Sequence, residues 1–167
     1  MAAWSCSVVY RLVPLQVVYL HGSFIWDDLA MIMQVLTCAA VFFSLMFLKQ
    51  YNTDHDIPEH EFYVLALIST LGMCVLITAQ SLLTLYLGVE LLSLPLYAMV
   101  ALQRSKPRRL EAAMKYFVMG ALASGFLFYG FSLLFGLAKS IDLNEITMAL
   151  LQVSSHEHAL LLVAMIL

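Results

Sequence analysis

The sequence predicts an all-α, polytopic bundle of membrane-spanning helices, and three observations predict it. Residues are 63% hydrophobic and only 11% charged, whereas a soluble globular chain carries about 25% charged residues. The apolar residues fall into four runs, each long enough to cross a hydrocarbon core of roughly 30 Å, which takes about 20 helical residues. The few charges collect in the short gaps between those runs, where water can solvate them.

Taken in order, residues 3–20 are a partial apolar segment interrupted by Arg11 and Pro14. They read as the end of a spanning helix or as an interfacial piece. No signal-peptide cleavage pattern accompanies them. A polar turn follows at His21, Gly22 and Ser23, and then Asp27 and Asp28 offer N-cap oxygens to the next helix. The first full helix is expected over about 29–49, with no charge until Lys49, which can snorkel to the interface. A polar loop with Asp54, Asp56, Pro58 and Glu59 separates it from a second helix over about 61–79. The third is expected at 81–102 and the fourth at 108–138, joined by the basic segment 103–109. The polar stretch 139–158 has room for a short amphipathic helix. The last run, 159–167, holds nine residues, fewer than a span needs. The whole chain is expected to be a single membrane domain, and the short final run either to mark a fragment of a larger subunit or to be completed by another polypeptide.

Arg104, Lys106, Arg108 and Arg109 crowd one short loop, and such loops stay cytoplasmic. The loop at 50–60 then shares that side. The turn near Gln80 and the stretch 139–158 lie on the other. A net charge of −3 gives no footing for nucleic acid. Cys6, Cys38 and Cys74 are isolated and read as packing residues, not as a disulfide or metal framework. His156 and His158 are weak metal-ligand candidates at best. No phosphate-binding glycine loop is present, and no histidine inside a span is placed to ligate haem.

Glu90 is the most informative residue. It is the one charge in the 22-residue run SLLTLYLGVELLSLPLYAMVAL, residues 81–102. At ~1.5 Å per residue it lies about 13 Å deep, near the midplane. A charge there costs roughly 2.5–3.5 kcal/mol on insertion scales, and such residues mark ion and proton pathways. The bland alternative is a protonated Glu that bonds a neighbouring helix. Pro95, five residues on, lacks an N–H and clashes with the carbonyl of Leu91. It should bend the helix and free that carbonyl beside Glu90. Glu90, the Leu91 carbonyl and Ser93 are therefore expected to line a small hydrated cavity. Lys115 lies six residues past Arg109, so about 9 Å into the fourth helix, with Glu111 as its i,i+4 partner. Glu90 and Lys115 are offset by roughly 10 Å along the membrane normal, so water must join them. Gly120–Ser124 and Ala121–Gly125 are small-x-x-x-small pairs and read as helix packing.

The pieces LYLGVELLSLPLYAMVAL and LEAAMKYFVMGALASGFLFYG, with DDLAM at 27–31, resemble the subunit N family of bacterial NADH–quinone oxidoreductase, respiratory complex I. The mitochondrial counterpart is subunit 2. The resemblance runs from Trp26 to Ala138. It implies one half of a cation/proton antiporter-like fold with inverted repeats of five helices. Glu90 matches that family's essential glutamate and Lys115 a lysine on its next helix. The family's central lysines lie on later helices, in a segment that would begin beyond Leu167.

The resemblance implies a non-redox, proton-translocating subunit of NADH:quinone oxidoreductase, with Glu90 and Lys115 as the proton relay and Pro95, Ser93 and Glu111 in support. No cofactor is expected in this chain. NAD, FMN, iron–sulfur clusters and quinone are expected in other subunits. The expected partners are other membrane-arm subunits and the lipid bilayer, and the expected location is the bacterial inner membrane. Two other readings stay open from the residues. One is an inert or structural fragment. The other is the related subunit of a sodium/proton antiporter or a membrane-bound hydrogenase.

Overall fold

A computed structural model describes residues 17–20, 22–54, 58–102, 107–151, 162–164 and 166. Its elements are β1 (Val17–Tyr19), β2 (Phe24–Trp26), α1 (Asp28–Asp54), α2 (Glu59–Thr78), α3 (Leu82–Ala101), α4 (Pro107–Ala138) and α5 (Leu143–Leu150). The four long helices are apolar enough to cross a membrane. Their charge-poor faces, including Phe47 at 76% and Met119 at 73% exposure, suit lipid or further protein rather than water. The chain is a multi-pass membrane protein.

Local chemistry sets each boundary. The Asp27 carboxylate accepts from the Ala30 amide at 2.7 Å and starts α1, as the paired aspartates suggest. Pro58 precedes α2 with φ −64°, a fixed angle suited to a helix entrance. Ser81 and Thr84 form a reciprocal capping box at α3, which removes Ser81 from the helix proper. Lys139, at φ 54°, closes α4 by donating its N–H to the Phe135 carbonyl at 2.7 Å. Asp142 caps α5 through the Asn144 amide, so the polar stretch after α4 does carry a short helix.

One element differs from the sequence expectation. The described end of segment 3–20 is a strand. Val17–Tyr19 pairs antiparallel with Phe24–Trp26, and the turn between them uses Leu20 at φ 50° and Gly22 at φ 94°. Glycine takes that backbone without strain. The hairpin persists because its edge is paired. Phe24 bridges Ala79, Ser81 bridges Asp142, and the Gln80 amide donates to the Ser23 carbonyl at 3.0 Å. The Leu82 and Leu143 amides donate to Ile141 and Gln80. The hairpin, the α2–α3 turn and the α4–α5 turn are thereby tied together at one end of the bundle.

Each spanning helix packs on its neighbour in sequence, and the tightest seam joins α2 to α3. Gly72 makes it possible. A Cβ there would sit 2.5 Å from the Leu92 nitrogen, so the two backbones approach closely. Gly88 meets Leu76 in the same seam. Gln34 of α1 reaches the Cys74 carbonyl of α2 at 3.4 Å. Cys38 and Cys74 are free thiols. Cys6, Asp56, Arg104, Lys106, His156 and His158, with most of 3–20 and 159–167, lie outside the described residues.

Candidate functional site

Glu90 sits half-buried at the middle of α3. Two faces of that helix decide its surroundings. Gly88, the Leu91–Leu92 peptide and Pro95 turn toward α2. Tyr86 and Tyr97, four residues before and seven after Glu90, both pack on α4. The Tyr86 ring lies 5.1 Å from Phe128, and Tyr97 lies 4.9 Å from Tyr116 and 5.8 Å from Phe117. Positions four and seven apart share a helix face, so Glu90 shares the α4-facing stripe.

Pro95 is buried within α3, and α2 covers the turn it disrupts. The buried Ser69 hydroxyl donates across the seam to the Leu92 carbonyl at 3.3 Å. Gly72 presses on the adjacent peptide. A neighbouring helix thus satisfies backbone beside the proline, one of the ways such turns persist at membrane depth. Ser93 instead donates to the Val89 carbonyl of its own helix at 2.6 Å. Ser93 is thus bonded within its own helix, and α2 packs against the proline turn.

Lys115 stands on α4 paired with Glu111 at 2.5 Å, with side chains 70% and 64% exposed. The rings fix the register of α4 against α3. Tyr97 is level with Tyr116 and Phe117, and Tyr86 with Phe128, so Glu90 faces α4 near Ser124. Lys115 then lies about nine residues, roughly 14 Å, nearer the α3–α4 loop. That exceeds the ~10 Å expected and rules out a direct ion pair.

Beyond Glu90, α3 and α4 enclose a cleft of about 230 Å³ lined by Leu82, Tyr86, Phe128, Phe131, Phe135 and Ile141, among others. Its surface is apolar apart from hydroxyls, and the Ser132 hydroxyl is bonded to the Tyr129 carbonyl at 2.8 Å. Among the described residues no group of three or more His, Cys, Asp or Glu is placed to hold a metal ion. Tyr86 and Ser69 were not singled out in the sequence. Tyr86 carried a signal, its spacing of four from Glu90. Ser69 carried none, because its partner is a backbone atom of another helix.

Comparison with known proteins places this arrangement. Residues 79–167, just over half of the chain, match the family model described as NADH:quinone oxidoreductase/Mrp antiporter, TM. The chain is 46% identical over 146 residues to NADH-quinone oxidoreductase subunit N of Coxiella burnetii, covering 87% of this chain and 30% of that protein. It thus spans about 30% of the length of that curated relative. A chain in the structure of respiratory complex I from Thermus thermophilus with bound aureothin superimposes with a TM-score of 0.67 at 28% identity, covering 97% of this chain and 35% of that one. A chain of the membrane-bound sulfane sulfur reductase, an archaeal respiratory membrane complex, shares the fold at a TM-score of 0.75 and 20% identity, covering 98% of this chain and 34% of that one. A half-buried glutamate at mid-span, framed by two tyrosines and a proline turn, thus sits in a chain that belongs to the NADH:quinone oxidoreductase/Mrp antiporter transmembrane family.

Proposed function

We propose that this chain supplies the glutamate end of a proton channel in the membrane arm of a proton-translocating NADH–quinone oxidoreductase. One observation carries the reading. Glu90 is held half-buried in the middle of a 20-residue spanning helix that contains no other charge. A carboxyl kept at that depth against a cost of roughly 2.5–3.5 kcal/mol fits a proton carrier better than a packing group. The subunit N relatives support this reading over an inert fragment.

In this role Glu90 takes a proton and releases it. Lys115, too distant for contact, is linked to Glu90 through intervening water. Pro95 and Ser93 shape α3, and Glu111 holds Lys115 at the face of α4. The chain binds no cofactor itself. NAD, FMN, iron–sulfur clusters and quinone belong to the partner subunits, and the other membrane-arm subunits and lipid cover its apolar faces. The membrane is the bacterial inner membrane, with the basic segment 103–109 in the cytoplasm.

The test is NADH-driven, quinone-linked proton pumping in inverted vesicles carrying the assembled complex. Glu90→Gln keeps shape and hydrogen bonding but cannot titrate. It should assemble normally on a native gel and lose most pumping, while Glu90→Asp should retain part of it. Parental pumping by Glu90→Gln would reduce Glu90 to a structural hydrogen-bonding residue.

A further inference from the structure

We propose that the Tyr97 hydroxyl is a positioning residue for the proton path, anchoring water between Glu90 and the α3–α4 loop end of the bundle; this rests on the proton-carrier reading of Glu90. Tyr97 lies two helical turns from Glu90 on the α4-facing stripe of α3. Its ring meets Tyr116 edge-on at 4.9 Å and Phe117 at 5.8 Å. Its tip fills a notch in α4. A Cβ on Gly120 would collide with the Tyr97 hydroxyl and with the ring carbon that bears it. Glycine at 120 therefore makes the room that the hydroxyl takes, and the hydroxyl reaches past the two flanking rings toward the level of Glu90.

That placement fits a water bridge. Glu90 faces α4 near Ser124, so Gly120 lies four residues, roughly 6 Å along the axis, closer to the loop. Two O–H···O bonds of about 2.8 Å each cover such a gap, with one water between them. The hydroxyl is available for it. Among the described residues it has no hydrogen-bond partner, and it is half-buried in an apolar seam, where a tyrosine hydroxyl takes a partner. The other hydroxyl on α3 between Glu90 and the loop, that of Ser93, is already donating to the Val89 carbonyl. Tyr97 thus holds the water nearest the carboxyl on the loop side. The proton moves along water, and the tyrosine keeps its own.

NADH-driven proton pumping in inverted vesicles carrying the assembled complex tests this. Tyr97→Phe keeps the ring against Tyr116 and Phe117 and removes only the hydroxyl. Pumping should fall roughly fivefold, the factor for one lost hydrogen bond, with native-gel assembly and melting temperature unchanged. Returning a hydroxyl from the other helix separates anchoring from packing. Tyr97→Leu vacates the notch. Adding Gly120→Ser places a hydroxyl close to where the tyrosine held one, and adding Gly120→Ala fills the same space without one. The serine double variant should pump roughly threefold faster than the alanine double variant. Parental pumping in Tyr97→Phe, or equal pumping in the two double variants, overturns the anchoring role. Either result leaves the proton-carrier reading intact, because that reading stands or falls on Glu90→Gln pumping alone.

Discussion

In the proposed role, Lys115 acts on Glu90 without touching it. Its ammonium is paired with Glu111 on an exposed stretch of α4, about 14 Å along the helices from Glu90. An exposed i,i+4 pair contributes only a few tenths of a kcal/mol to a helix, so its removal should leave the fold intact. Its electrostatic influence survives better, because the low dielectric of a membrane interior screens charge less than water does. Lys115→Arg should therefore pump near the parental rate, and Lys115→Ala should lose a modest fraction, on the order of two- to threefold. Equal pumping in Lys115→Ala and the parent would leave the lysine with the ion pair alone. Glu90 itself is legible in sequence, since a single charge in an apolar run needs no coordinates to be seen. Ser93 is grouped with Glu90 on spacing alone. Its nearest acceptor is the Val89 carbonyl of its own helix, a local bond that spacing from Glu90 does not reveal.

The α2–α3 seam is the element on which the site depends, and two glycines grade its tightness. A methyl at Gly72 would meet the Leu92 backbone at 2.5 Å, whereas one at Gly88 would first meet the Leu76 side chain at 2.7 Å. Backbone cannot yield, but a leucine can turn. Gly72→Ala should destabilise the assembled complex by about 1–3 kcal/mol, seen as a lower melting temperature in detergent. It should also reduce pumping by displacing the turn next to Glu90. Gly88→Ala should do less on both counts. The reverse order would mean that the seam is not where α3 is positioned. Sequence pattern located the four helices to within a few residues, except that α1 continues to Asp54 past Lys49, the first charge after its start. It did not locate this seam. The small-x-x-x-small pairs it offered lie on α4, where Gly120 meets Tyr97 but Gly125 meets nothing. The contacts that matter join glycines to backbone on a different pair of helices. The hairpin Val17–Trp26 also escaped the reading. Its short strands lean on partners at Ala79 and across to Asp142, far away in sequence.

For the molecule as a whole, the terminal knot and the charge distribution give complementary views. The hairpin, the Gln80 turn and the start of α5 gather at one end. Arg108 and Arg109 begin α4 at the other end. With four basic residues in the segment 103–109, that end should be cytoplasmic. A Ser105→Cys variant should react with a membrane-impermeant thiol reagent in inverted vesicles and stay unlabelled in intact spheroplasts. Labelling from the periplasmic face alone would invert the topology. The fold class was legible at this scale because exclusion of charge from 20-residue stretches is a property of sequence. The tyrosine frame around Glu90 was not, because it needs the register of α3 against α4, which two rings set.

The central claim is that Glu90 changes its protonation state as the complex turns over. Infrared difference spectroscopy of the assembled complex, comparing the resting state with NADH-driven turnover, reads that change directly. The account predicts a carboxyl C=O band that appears or disappears on turnover and is absent from the Glu90→Gln difference spectrum. Identical difference spectra for Glu90→Gln and the parent would contradict it.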